Sequence, residues 1–231
     1  MTEISGTRVL VTGGQRGLGK ALVDAFLDEG ASTVYVTARE PRPTNDPRLV
    51  SLPLEVTNDA SVAALTNAVP DVNIVVNNAG ATVARGLLTN RIDDVAALFD
   101  TNVLGPLRMA QAFAPALRRN GGGALVNVHS VMSWVAGAGA YGVSKAALWS
   151  LTNSLRLELK DQHTQVLGVH LGYTDTDMIK ALDVPKSDPN DVAAKVMVAL
   201  LDGESEVLAD DVSVRYKQAL SGHVDGLSIA F

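Results

Sequence analysis

Short runs of β-branched and aliphatic residues recur along the chain, separated by longer stretches in which apolar positions return every three or four residues. The runs Arg8 to Thr12, Thr33 to Thr37, Leu49 to Leu54, Asn73 to Val76, Ala124 to Val128 and Gln165 to Leu171 are almost continuously apolar. A strand with one wet face alternates apolar and polar residues, whereas an unbroken run marks a strand covered on both faces of a parallel sheet. The segments Leu18 to Glu29, Asp59 to Ala68, Asp93 to Arg119, Tyr141 to Lys160 and Asn190 to Leu201 carry helical spacing, and Gly30 closes the first of them. A last strand is predicted at Glu206 to Ala209. Alternating β and α units of this kind predict an α/β chain built as one doubly wound parallel sheet with helices on both faces. The 231 residues fit a single domain, 1–231. The Pro-rich loop Glu40 to Pro47 is too short to separate domains, and no added substrate domain is expected after the last predicted strand.

Charge and composition narrow the partners. Nineteen Lys and Arg against 25 Asp and Glu leave a net charge of −6, which argues against a nucleic-acid or anionic-membrane surface. Charged residues make up only 19% of the chain, below the roughly 25% usual for soluble domains, and this suggests that another subunit covers some of the surface. There is no cysteine, hence no disulfide framework, no thiolate metal site and no thiol nucleophile. His129, His163, His170 and His223 lack metal-ligand spacing, so no metal is expected. The stretch from Asn120 to Ser144 carries no Asp, Glu, Lys or Arg and has the length of a bilayer span, but six glycines and several polar residues make a buried strand, a turn and a helix start the better reading. The N-terminus is acidic before its apolar run and reaches glycines too early for a signal peptide, which points to the cytoplasm.

The first strand runs directly into Thr12-Gly13-Gly14-Gln15-Arg16-Gly17-Leu18-Gly19 and then into a helix. Glycines in that context allow positive φ and a close backbone approach to a pyrophosphate, whose charge the helix N-terminus meets, as in a Rossmann-type dinucleotide site. The acid that would bind the ribose diol of NAD, about 20 residues downstream, is replaced by Thr37-Ala38-Arg39. Arg39, together with Arg16 inside the turn, suits the 2′-phosphate of NADP, which guanidinium groups bind bidentately. NADP(H) is therefore the expected cofactor, with NAD(H) left possible by Glu40 beside the site.

Tyr141 and Lys145 stand four apart at the start of a helical segment, on one helix face. A phenol titrates near pH 10, and a neighbouring ammonium is expected to depress that value and make proton exchange practical. Ser130 follows the fifth strand at the C-terminal edge of the sheet, where open α/β sheets bind ligands. Its hydroxyl can donate to the substrate oxygen that Tyr141 protonates. Ser133 competes for the role, but Ser130 follows the strand directly.

With these residues in place, the chain resembles the short-chain dehydrogenase/reductase family over essentially its whole length. The matching motifs are the turn from Thr12 to Gly19, Asn77-Asn78-Ala79-Gly80 after the fourth strand, Asn102 in Asn102-Val103-Leu104-Gly105, Ser130, and the Tyr141/Lys145 pair, all in family order. The resemblance implies a catalytic set of Asn102, Ser130, Tyr141 and Lys145. Tyr141 would be the general acid/base, Lys145 would lower its pKa and hold the nicotinamide ribose, Ser130 would orient the carbonyl, and Asn102 would order a water leading to Lys145. A cofactor cleft would draw on Gly13, Gln15, Arg16, Gly17, Leu18, Gly19, Arg39, Glu55, Val56, Asn78, Ala79, Gly80, Tyr141, Lys145, Thr174 and Thr176. The resemblance further implies a homodimer or homotetramer through the helices containing Asp93 to Arg119 and Tyr141 to Lys160.

Departures from the family pattern carry their own expectations. Leu171-Gly172 stands where a Pro-Gly pair is usual, so the backbone there should be less fixed. Glu55-Val56 stands where an Asp often contacts adenine, and the segment between Ser130 and Tyr141 is about two residues short, which could bring Trp134 towards the substrate or leave it in core or interface packing. The expected activity is NADP-dependent hydride transfer between nicotinamide and a small carbonyl or alcohol substrate, under a short lid around 175–188. The alternative is an NADP-binding sensor or scaffold without turnover.

Overall fold

The computed structural model describes residues 2–83 and 86–228. Seven strands, β1 (Arg8–Thr12), β2 (Thr33–Ala38), β3 (Leu49–Pro53), β4 (Ile74–Asn77), β5 (Gly123–Val128), β6 (Thr164–His170) and β7 (Glu206–Leu208), form one all-parallel sheet in the order β3-β2-β1-β4-β5-β6-β7. Seven α-helices accompany them among the described residues: α1 (Gly17–Asp28), α2 (Asp59–Ala68), α3 (Ile92–Phe99), α4 (Gly105–Arg119), α5 (Gly139–Glu158), α6 (Pro189–Asp202) and α7 (Asp211–Ala219).

Successive strand residues point to opposite faces, and this divides the core. Val9 and Val11 of β1 join Val34, Val36, Val126 and Val169 against Leu22 and Phe26 of α1 and Val196 and Leu200 of α6. Leu10, one position over, joins Val75, Leu125 and Val166 against Val62 of α2, Met109 and Phe113 of α4 and Leu155 of α5. Apolar residues at every position of these strands are what two covered faces require.

Three elements differ from expectation. The helix predicted over Asp93 to Arg119 is broken by a π-helical turn at Asp100–Leu104, a local widening that helical periodicity does not register. The last predicted strand stops at Leu208, because Asp210 caps a helix, α7, that the sequence pattern does not reveal. Its alternation Val212, Val214, Tyr216 mimics a strand, but the Asp210 carboxylate accepts from the Ser213 N–H while the Ser213 hydroxyl accepts from the Asp210 N–H, a capping box that fixes a helix start. The uncharged stretch 120–144 supplies β5, a 3₁₀ turn at Val131–Ser133 and the start of α5. Among the described residues, no helix is long and apolar enough to cross a membrane.

Strand order reverses between β1 and β4, so the connections leaving these two strands diverge to opposite faces and open a crevice at their C-terminal ends. Side chains tie the two strand ends together. Thr12 Oγ1 donates to the Val76 carbonyl and accepts from the Asn78 and Ala79 N–H groups, while the Asn78 amide donates to the Thr12 and Gly13 carbonyls.

Candidate active site

A cleft of about 1070 Å³ runs along that crevice. Its phosphate end is the turn between β1 and α1. Gly13 (φ +64°) and Gly17 (φ +52°) adopt the left-handed conformation that favours glycine, and a Cβ at Gly17 would press against Thr176 at 3.1 Å. Arg16 caps α1 without a side-chain hydrogen bond and no acid follows in the first turn, which leaves the N–H groups of the helix start available to an anion. Gly19 is the tightest position, since a Cβ there would be driven into the Gly13 carbonyl oxygen and the Asn78 amide. Gly19→Ala must therefore open the turn. We expect NADPH affinity to fall at least about tenfold, with up to about 3 kcal/mol of stability lost through overpacking, as read by fluorescence titration and thermal melting.

At the adenosine end, Arg16, Arg39 and Arg42 line the cleft with Glu40 among them. Arg42 is an addition to the expected set, and its signal in the sequence is another cation three residues beyond Arg39. Gln15, expected to contact cofactor, lines the cleft, but its amide donates to the Arg42 carbonyl (2.8 Å) and accepts from the Arg42 N–H (2.9 Å), so it pins the arginine-bearing loop to the glycine turn. Arg16 Nη1 lies 3.6 Å from Asp177 Oδ2 across the cleft mouth. Glu55 and Val56 line the wall, with the Glu55 carboxylate accepting from the Thr57 hydroxyl. Leu18, Asn78, Ala79 and Gly80 complete it, although the Asn78 amide is committed to the β1 end.

The chemical end gathers Ser130, Tyr141 and Lys145. Ser130 leaves β5 in extended conformation and accepts from the Met132 N–H, opening the 3₁₀ turn. Lys145 is buried and donates to the Val128 carbonyl at 2.8 Å, so helix α5 and strand β5 fix it together. Its Nζ sits 5.8 Å from the centroid of the Tyr141 ring. Burial alone brings the Lys145 pKa down to about 8. Burial also pushes the Tyr141 phenol up to about 12, and the hydrogen bond with Ser130 only partly opposes it. The expected depression of Tyr141 by Lys145 is thus absent, because the ammonium is turned to a backbone carbonyl. The phenol is protonated at neutral pH, the form a proton donor needs.

Asn102 lies in the π turn, behind the wall of the cleft. Its Oδ1 accepts from the Ala81 N–H and its amide donates to the Ala81 carbonyl and to Ser144 Oγ. A Cβ on Gly80 would lie 3.5 Å from Asn102 Oδ1 and 3.8 Å from Lys145 Nζ, so Asn102 and Lys145 flank the same glycine. Ser133 is drawn away, donating to the Lys145 carbonyl. Trp134 packs with Val131, Val135 and Tyr216 in a separate apolar cluster and is absent from the cleft lining, which is the packing reading of that residue.

The segment after β6 is more firmly held than its missing proline suggests. Leu171 accepts from the Val131 N–H, and the Gly172 N–H donates to the Asp210 carboxylate. Thr174 and Thr176 follow on the cleft wall. Thr174 Oγ1 is buried with no hydrogen-bond partner among the described residues, an orphaned group that a ligand amide or phosphate would satisfy. This orphan, the glycine cradle, the uncapped helix start and the arginine cluster all fit a bound dinucleotide.

Comparisons with known proteins agree with this geometry. The profile of the short chain dehydrogenase family matches residues 7–186. A crystal structure of a short chain dehydrogenase from Burkholderia cenocepacia in complex with NADP is 32% identical, with a TM-score of 0.91 over 97% of each chain. The NADP-dependent 3-hydroxy acid dehydrogenase of Schizosaccharomyces pombe is 29% identical and covers 97% of this chain and 98% of its own. The NADPH-bound carbonyl reductase from chicken fatty liver is 27% identical, with a TM-score of 0.78 over 85% of this chain and 91% of that one.

Proposed function

The chain belongs to the short-chain dehydrogenase/reductase family of oxidoreductases, and we propose that within it this protein is an NADPH-dependent carbonyl reductase in which Tyr141 is the proton donor. The supporting observation is the convergence of Ser130, Tyr141 and Lys145 at one end of the glycine-lined cleft. When bound, the nicotinamide supplies and accepts hydride. Ser130 Oγ, within hydrogen-bonding reach of the Tyr141 phenol, orients the substrate oxygen so that the phenolic proton passes to it. Lys145 holds positive charge beside the phenolate left behind, fixed by its bond to the Val128 carbonyl, and is the residue that would hold the nicotinamide ribose. Asn102, anchored twice on Ala81, keeps the Gly80 wall and Lys145 in register.

Gly13, Gly17 and the start of α1 hold the pyrophosphate, and Thr174 and Thr176 meet the nicotinamide end. Arg16, Arg39 and Arg42 take the 2′-phosphate. The known relatives that bind NADP support that choice. Loss of one charge-assisted pair is worth about 1.5–3 kcal/mol. Arg39→Ala should therefore lower the ratio of kcat/KM for NADPH over NADH by about tenfold to a hundredfold, and an unchanged ratio would remove Arg39 from the phosphate site.

The whole chain acts as one domain in this reading, with residues 175–188 as a substrate lid. Its base closes on itself where the Asp175 N–H donates to Ser187 and the Ser187 N–H to Tyr173, and Met178 and Ile179 face the cleft. Apolar side chains exposed at Leu104 in the π turn and at Val143 and Leu157 of α5 fit a homodimer or homotetramer. A panel of carbonyls and alcohols followed by nicotinamide absorbance, with both cofactors, tests the activity; a protein that binds NADPH and turns over none of them would be the sensor instead.

A further inference from the structure

Behind Ser130 lies a buried polar chain that the proposed chemistry does not use. His129 follows β5 and His170 ends β6, both almost without solvent exposure. His129 Nε2 lies 2.8 Å from Thr152 Oγ1 on α5, and His129 Nδ1 lies 2.9 Å from His170 Nε2. The other nitrogen of His170, Nδ1, faces the Ser130 carbonyl at 3.4 Å. Glu206 Oε1 of β7 lies 3.3 Å from His170 Nε2, and the second Glu206 oxygen pairs with Lys217 of α7. The His170 ring also stacks on Trp134, centroids 3.9 Å apart at 19°. One imidazole therefore touches both ends of the turn that begins with Ser130.

The hydrogen-bond partners assign the protons. Thr152 gives its single hydroxyl proton to the Leu148 carbonyl and accepts from the Asn127 amide, so the proton between Thr152 and His129 must come from His129 Nε2. Burial, reinforced by His170, Lys145 and Arg156, holds the His129 pKa well below its ordinary value. Neutral His129 is then bare at Nδ1 and accepts from His170 Nε2–H, which also points at the Glu206 carboxylate. A neutral His170 has no proton left for Nδ1, and its lone pair faces the lone pairs of the Ser130 carbonyl. A protonated ring donates there instead.

We propose that His170 is a positioning residue for Ser130: charged, it draws the Ser130 carbonyl inward through an Nδ1–H hydrogen bond; neutral, it leaves that carbonyl unheld, and carbonyl reduction slows. The inference rests on the assignment of Ser130 and Tyr141 to the chemistry. The charged and titratable groups facing the ring are His129, Glu206 and Lys217, with Lys145 and Arg156 beyond His129. Burial lowers the His170 pKa below 6.5 and Glu206 opposes it, so the charged ring gains population as the pH falls from neutrality. Glu206 itself, which burial would raise, is held at about 2 by hydrogen bonds from His170 and Lys217, and stays an anion throughout.

The test is the pH profile of kcat for NADPH-dependent reduction between pH 5 and 8, read with NADPH affinity and melting temperature for each variant. One hydrogen bond to a charged donor is worth about tenfold in rate, so the wild type should gain up to about tenfold below pH 6.5. His170→Asn places an uncharged amide donor at the Nδ1 position and should flatten the profile near its low-pH level. His170→Gln reaches towards Glu206 instead and should flatten it near the slower level, with the KM for NADPH unchanged in both. Equal rates for the two variants, or a wild-type limb that survives in either, overturn the proposal. Glu206→Gln, at a half-buried strand position, should shift the limb to lower pH by about one unit; if neither His170 variant folds, an unmoved limb in Glu206→Gln overturns it. Ser130→Ala in the same assay separates the two assignments. A fully active Ser130→Ala defeats the chemistry itself, whereas an inactive one beside indistinguishable His170 variants defeats only the role of His170.

Discussion

Tyr141→Phe should bind NADPH within about threefold of the parent affinity and yet lose about 10³-fold in kcat for carbonyl reduction, the range by which a positioned proton donor accelerates a reaction. The separation follows from where the phenol lies. Tyr141 stands on the first turn of α5 at the far end of the cleft from the arginines and the glycine turn, and its ring packs in the cluster around Val131, Met132 and Val135, a place Phe fills as well. Only the hydroxyl is lost, and Ser130 keeps its bond from the Met132 N–H. Steady-state rates and cofactor titration on the same preparation decide the matter. A Phe variant with more than about a tenth of parental kcat would leave another group as the acid and end the Tyr141 assignment.

Lys145→Met should do two opposite things, removing turnover by at least about 10²-fold while making the cofactor-free protein more stable at pH 7. Burial brings the Lys145 pKa from 10.5 down to about 8. Below pH 8 both the folded and the unfolded chain carry the proton, and the folded one bears the desolvation cost, about 3 kcal/mol from the shift. Between pH 8 and 10.5 the folded protein releases the proton while the unfolded chain keeps it, so wild-type stability rises with pH across that window. Met removes the cost and forfeits the hydrogen bond to Val128, leaving a gain of about 2 kcal/mol. Thermal melts should show the variant about 4–8 °C higher at pH 7, with the difference shrinking towards pH 10. A variant that melts lower than the parent at pH 7 would mean that the ammonium is not under strain.

The sheet and its helices are legible in the sequence because burial on both faces writes itself into composition: Val9, Leu10 and Val11 must all be apolar when alternate positions meet different helices. The glycine turn is legible because left-handed backbone and close approach leave few residue choices. What escapes notice depends on partners distant in sequence. The π turn that lodges Asn102 against Ala81 has no periodic signature. Arg42 owes its place to Gln15, 27 residues earlier, and α7 hides behind an alternating pattern overruled by one capping aspartate. The pKa of Tyr141 runs opposite to expectation because i, i+4 spacing sets only which helix face two groups share, while Lys145 answers to a carbonyl on β5. The firmness of Leu171-Gly172 comes from Asp210, which no local reading connects to it.

The clamp between Gln15 and the backbone of Arg42 makes the two halves of the adenosine pocket a single mechanical piece. Redesign toward NADH could then exchange side chains on the loop after β2 while keeping that glutamine. Nucleotide preference would change without disturbing the reduction step, because no residue of the clamp extends to the reacting end.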